Sequence, residues 1–163
     1  MIRHAGLIAR FDGGSWRGVL IEGPSGAGKS DLALRALDLG WRLIADDRTL
    51  VWASDGRLYG RAPDTLAGLI EARGLGLLAV APRAFAMIAL AVRCMDADSV
   101  ERMPEPQTLA ILDLSVPLVP LAASHASAPA KLGRALMLLD SAANRRIKRP
   151  ALAEFSQGAG GVP

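Results

Sequence analysis

The chain has 163 residues, 51% of them hydrophobic and 21% charged, which suits one compact domain with a buried core and argues against intrinsic disorder. Nineteen basic and sixteen acidic residues leave a charge of +3, too small an excess to indicate nucleic acid, and at 4% the aromatic residues are too few for stacking platforms. The single cysteine, Cys94, excludes an internal disulfide framework and a multi-cysteine metal site, and reads as a small buried hydrophobe.

Residues 5–9 and 18–21 are short apolar runs separated by Asp12-Gly13-Gly14-Ser15, a pattern that predicts a hairpin. The glycine-rich segment 23–30 follows. Next comes a helix with Leu32, Ala33, Ala36 and Leu37 on one face and Gly40 just past its end. Residues 41–45 read as a strand ending on Asp46-Asp47. Strand 49–53, the turn Ser54-Asp55-Gly56 and the return 57–60 form a second hairpin, and 63–70 fits a short helix with Pro63 in its first turn. Residues 75–80 and 86–92 read as buried strands. The apolar stretch they form is broken by Pro82 and Arg83, so no membrane span is expected.

Two prolines put 103–107 in a loop, and 109–114 reads as a strand. Pro117 and Pro120 then force an extended segment suited to a sheet edge. A long helix is expected over 129–149, with Ser127 before it and Pro150 after it. Its apolar stripe is Leu132, Leu136, Leu139, Ala143 and Ile147. Residues 1–150 form the expected domain and 151–163 a flexible tail. The fold class is α/β, with a sheet of six or more strands. The opening MIRHAGLIARFD has no long apolar run and no cleavage signal, so a cytoplasmic location is expected.

Gly23-Pro24-Ser25-Gly26-Ala27-Gly28-Lys29-Ser30 matches the phosphate-binding pattern G-x-x-x-x-G-K-[ST] in full. Glycines let the backbone wrap a polyphosphate and turn its N–H groups inward, and the next helix aims its positive end at the same anion. Lys29 can reach the terminal phosphates, and the Ser30 hydroxyl can ligate Mg²⁺. A dinucleotide fingerprint fails here, because Gly26-x-Gly28 lacks the third glycine.

Asp46 and Asp47 end the strand after the loop's own helix. A β-helix-β crossover sets successive parallel strands side by side or one apart, so these carboxylates should lie near the bound phosphates. Neighbouring side chains of an extended chain point to opposite faces. One aspartate can therefore face Mg²⁺ or the acceptor while the other supports the loop. Carboxylates there suit two jobs: holding metal-bound water and taking a proton from an attacking hydroxyl.

The blocks GVLIEGPSGAGKSDLALRAL, GWRLIADDR and EARGLGLL resemble, in order and near-family spacing, the HPr kinase/phosphorylase family, over about His4 to Arg146. The resemblance implies an HPr kinase/PEP carboxykinase-like fold built on a P-loop core. It implies Mg²⁺- and ATP-dependent phosphorylation of a serine on the phosphocarrier HPr, reversed by phosphorolysis with inorganic phosphate. Asp47 would then exchange a proton with the serine, Lys29 would hold the phosphates, and Ser30 and Glu71 would bind Mg²⁺, with Asp46 a further candidate ligand. His4 and Arg102 would be the family's active-site histidine and arginine, and Lys131-Leu132-Gly133-Arg134 resembles the segment tied to dephosphorylation. Family members are commonly twice this length, so the chain resembles a short form holding the catalytic domain alone. Hexamers are implied, and neither nucleic acid nor membrane is an expected partner. Two alternatives are a small-molecule P-loop kinase and a nucleotide-binding regulator without catalysis.

Overall fold

The computed structural model describes the backbone of residues 1–147 and the side chains of residues 1–139. The expected tail 151–163, the Pro150 stop and the side chains of Ala143 and Ile147 lie outside the described residues. The architecture is mixed α/β but dominated by strands. In chain order these are β1 (Ile2–His4), β2 (Gly6–Asp12), β3 (Ser15–Glu22), β4 (Arg42–Ala45), β5 (Arg48–Ser54), β6 (Arg57–Arg61), β7 (Leu69–Ala72), β8 (Gly76–Ala79), β9 (Ala86–Cys94), β10 (Gln107–Ile111) and β11 (Leu114–Leu121). The helices among the described residues are α1 (Lys29–Leu37) and α2 (Ala128–Ile147).

Nine strands form one sheet in the order β1-β5-β6-β9-β3-β2-β4, with β11 beside β9 and β10 beside β11. The hairpin β2–β3 pairs from Gly6↔Ile21 to Asp12↔Ser15, as the turn at Gly13-Gly14 requires. Strand β2 also pairs antiparallel with β4, so β3 and β4 are parallel with β2 between them. That is the one-apart placement expected of the β3–α1–β4 crossover. Strands β3, β9 and β11 are parallel neighbours. Hence β4, β3, β9 and β11 all end at one edge of the sheet, and the glycine loop springs from that edge.

Strands β4 and β5 stand near opposite ends of the strand order, yet only Asp46 and Asp47 join them. A two-residue link spans only about 10 Å between its flanking residues. The sheet must therefore roll until its two ends meet at this turn. Inside the roll lie Ala5, Leu7, Ala9, Leu20, Ile44 and Val51 with their neighbours, a core of small aliphatic side chains. Gly60 is where strands crowd most: a Cβ there would stand 2.5 Å from Leu7 Cδ2 and 2.9 Å from Thr49 Cγ2. A second core lies between the sheet and the two helices. It takes Ile8, Val19, Ile21 and Leu90 from the strands, Leu32, Ala33 and Ala36 from α1, and Leu132 and Leu136 from α2. The helical faces expected from the spacing are thus buried, and Gly40 closes α1 in the left-handed region at φ 85°.

Four expectations need correction. Residues 63–70 are not a helix: a 3-10 turn, Asp64–Leu66, leads into β7. Residues 75–80 are not a buried strand. β8 pairs only with β7, as a hairpin apart from the main sheet, with Leu75 77% and Leu77 63% exposed. An apolar run marks a buried strand only when another layer covers it. Residues 109–114 are not one strand, because Leu112 and Asp113 take positive φ (49° and 62°) and turn β10 back into β11. Finally, β11 is not an edge strand. It pairs with β10 over Leu114–Leu118 and with β9 over Leu118–Leu121. Each proline nevertheless sits where β11 has one neighbour, Pro117 beside β10 and Pro120 beside β9, so the absent N–H interrupts no second ladder. Strand β1 was not expected at all.

No helix among the described residues is long and apolar enough to cross a membrane. The stretch that raised the question is split between β8 and β9.

Candidate functional site

The glycine loop leaves β3 at Glu22 and enters α1 at Lys29. Gly26 and Gly28 have φ of 81° and 83°, a region that excludes most side chains, so the tight wrap needs glycine there. Gly23 is needed for space: a Cβ would stand 2.8 Å from the Cys94 carbonyl oxygen on β9. Lys29 is 8% exposed, and its Nζ donates to the carbonyl oxygens of Gly23 (3.0 Å) and Pro24 (2.9 Å). The ammonium therefore spans the mouth of the loop. Beside it opens a cleft of about 700 Å³, lined by Glu22, the loop 23–27, residues 93–97, Ser99 and Ser124.

The paired aspartates have different partners, although they lie in a bend between β4 and β5 and not in the extended chain that the expected alternation requires. Asp46 is buried. Its Oδ1 accepts from the Ser30 hydroxyl at 2.8 Å and its Oδ2 from the Glu71 backbone N–H at 3.0 Å. It thereby ties the first turn of α1 and β7 to the end of β4. Asp47 adopts φ 63°, which throws its side chain the other way. Its carboxylate, about half exposed, meets His4 Nδ1 at 3.2 Å. The β1–β5 register explains the meeting, since His4 pairs with Arg48, one residue after Asp47.

The structure brings together His4, Lys29, Ser30, Asp46, Asp47 and the Glu71 backbone, along with the loop residues Gly23, Pro24, Ser25, Gly26, Ala27 and Gly28. Glu71 is exposed, and it is its backbone N–H rather than its carboxylate that bonds Asp46. Arg102 is not gathered in. It lies exposed in the segment after the 3-10 turn Ala97–Ser99 and does not line the cleft. Lys131–Arg134 falls on α2, with Leu132 in the core and Gly133 against the Arg10 guanidinium.

Sequence reasoning missed a charged group on the cleft wall. Arg3 donates from Nε and Nη2 to Glu22 Oε1, and Arg93 stands across from Glu22 on β9. Pairing register joins Glu22 to Arg93 and sheet curvature brings in Arg3, so local pattern carried no signal for them. The segment 122–125 was missed too. Arg35 donates to the carbonyl oxygens of Ala123 and His125, holding this segment against the loop, where Gly28 approaches Ala123. Cys94 is buried behind Gly23. Burial pushes its thiol up from 9.0 to about 11, against the lowering pull of Lys29.

Among the described residues no three His, Cys, Asp or Glu side chains gather as a metal cage. The donor set does fit Mg²⁺ of the nucleotide-borne kind, which keeps its waters and takes one or two protein oxygens besides phosphate. The Ser30 hydroxyl donates its proton to Asp46, leaving its lone pairs for a cation, and Glu71 offers a free carboxylate next door.

Comparison with known proteins places the chain in a family and a fold. Residues 4–146 match the family described as HPr Serine kinase C-terminal domain. The chain is similar to an HPr kinase/phosphorylase of Limosilactobacillus reuteri, 53% identical over 64 residues, covering 39% of this chain and 20% of that protein. It is similar to that of Clostridium beijerinckii, 46% identical over 63 residues, covering 39% and 21%. The matched segment thus spans about a fifth of the curated relatives' length. The fold matches the structure of the HPr(Ser) kinase/phosphatase from Coxiella burnetii with a TM-score of 0.73 at 21% identity, covering 92% of this chain and 99% of that one.

Proposed function

The chain belongs to the HPr serine kinase C-terminal domain family, and from that premise we propose that it moves the terminal phosphoryl group of ATP to a serine hydroxyl of the phosphocarrier HPr. The observation that carries the reading is the aspartate turn: Asp46 locked to the loop's own serine, and Asp47 turned outward beside it.

The loop amides and Lys29 hold the phosphate chain, and the end of α1 adds its dipole. Ser30 and Glu71 would hold Mg²⁺, which would supply charge neutralisation for the phosphate oxygens. Asp46 accepts the hydrogen bond from the Ser30 hydroxyl, which leaves the serine oxygen's lone pairs available, and it acts as a positioning group more than a direct ligand. Asp47 accepts the proton as the substrate serine oxygen attacks phosphorus, and the bond to the departing ADP oxygen breaks. His4 orients the Asp47 carboxylate through Nδ1. In the reverse sense, an oxygen of inorganic phosphate attacks the phosphoserine phosphorus. The serine oxygen leaves with a proton from Asp47, and pyrophosphate forms. Transfer of this kind is chiefly positioning and electrostatics. Arg102 enters the site only if its segment moves toward the cleft when the carrier binds.

The test is transfer of labelled phosphate from Mg-ATP to an HPr carrier, with and without its acceptor serine. Label on the serine-bearing carrier alone supports the reading, and Asp47→Asn should lower the rate at least about 100-fold. Transfer by Asp47→Asn at the wild-type rate would remove Asp47 from its role. ATP binding without any transfer would favour the non-catalytic regulator.

A further inference from the structure

Glu22 and Arg93 form the last registered pair between the parallel strands β3 and β9, at the edge where the glycine loop begins. Both line the cleft beside the loop 23–27. The Glu22 side chain is only 12% exposed, and its Oε1 is taken by Nε and Nη2 of Arg3. Arg93 is 47% exposed, with Nη2 at 4.0 Å from Glu22 Oε2, outside hydrogen-bond range. Two guanidinium groups thus face one carboxylate, and the carboxylate is already satisfied by Arg3. A long, half-exposed ion pair of this kind holds its arginine weakly. The other charged side chain on the cleft lining is Asp96, exposed at the head of the 3-10 turn.

The geometry points to Arg93 as a second anion-gripping residue of the cleft: its guanidinium leaves Glu22 for a phosphate oxygen lying along the loop 23–27, while Arg3 keeps the Glu22 charge neutralised. The ligand chemistry is a phosphate oxyanion, carried on the nucleotide chain or present as free inorganic phosphate. A guanidinium fork donates two parallel N–H groups to one phosphate, a geometry that the Lys29 ammonium, a point charge, does not supply. The assignment rests on the nucleotide-binding reading above and adds a residue that no loop pattern contains.

Calorimetric titration of the wild-type chain, Arg93→Ala and Arg93→Lys tests it. One arm uses Mg-ATP, and the other uses inorganic phosphate added to ADP-saturated protein. Arg93→Ala should bind about tenfold more weakly in at least one arm, Arg93→Lys should fall between, and melting temperatures should stay unchanged. A loss confined to ATP places the contact on the nucleotide chain, and a loss confined to inorganic phosphate places it on the free anion. Either result supports the proposal. Unchanged affinity in both arms overturns it, as does a lowered melting temperature with affinities intact. A wild-type chain that binds no ATP overturns the nucleotide reading as well. That result is distinct from equal binding by wild type and variant.

Discussion

At the scale of single residues, Asp46 carries the most structural consequence. Its two oxygens serve the Ser30 hydroxyl and the Glu71 N–H. In Asp46→Ala both donors lose their acceptor in a largely buried place. A loss of about 1–3 kcal/mol in urea unfolding is expected, together with weaker Mg-ATP binding. The aspartate pair was legible in the sequence as two opposed carboxylates. Which of them would be buried was not legible, because the positive φ of Asp47 follows from closing the rolled sheet. Cys94 offers a separate check. Its folded thiol titrates at about 11 against 9.0, so between those pH values the unfolded chain gives up the proton first. The thiol's contribution to stability is whole below pH 9.0 and declines as pH rises toward 11, by at most about 1.4 kcal/mol per pH unit. Cys94→Ala should lack that increment in a pH series of urea midpoints.

At the scale of elements, close strand approach sets the sharpest limits. Gly18 lies where β3 meets β9, and a Cβ there would stand 2.9 Å from the Met87 carbonyl oxygen. That oxygen belongs to backbone and cannot rotate away. Gly18→Ala should lower stability by about 1–3 kcal/mol, read from the urea midpoint. Helix α2 packs through Leu132 and Leu136, both fully buried. Leu132→Ala should cost about 2–5 kcal/mol in the same measurement. The helices, the first hairpin and the loop were legible because each is encoded by neighbours in sequence: a 3.6-residue stripe, a Gly-Gly turn, a glycine-rich wrap. Strands β7 and β8 and the turn at Leu112-Asp113 were not. An apolar run states that burial is favoured, but not which layer is available to cover it.

At the scale of the whole molecule, the fold is a rolled mixed sheet whose parallel strands deliver their carboxyl ends to one place. Ligands in α/β folds sit outside such ends, and here Glu22, Ala45 and Cys94 all terminate beside the loop. Because the loop joins β3, α1 and, through Asp46, β4 and β7, a ligand bound there stabilises the folded chain as a unit. Mg-ATP at 100 times its dissociation constant should add about 2.7 kcal/mol, seen as a rise in melting temperature that Lys29→Ala abolishes.

The sequence by itself determined the glycine-rich loop, the helix behind it, the acidic pair after the next strand, and the α/β character. These depend on residue types at short, regular spacings. Tertiary structure alone decided that Asp46 would lock Ser30, that His4 would meet Asp47, and that Arg3, Glu22 and Arg93 would share one edge. Those residues stand 16, 43, 19 and 71 positions apart, counted as Ser30–Asp46, His4–Asp47, Arg3–Glu22 and Glu22–Arg93. Pairing register and sheet curvature bring them together, and neither is written in any local stretch of chain.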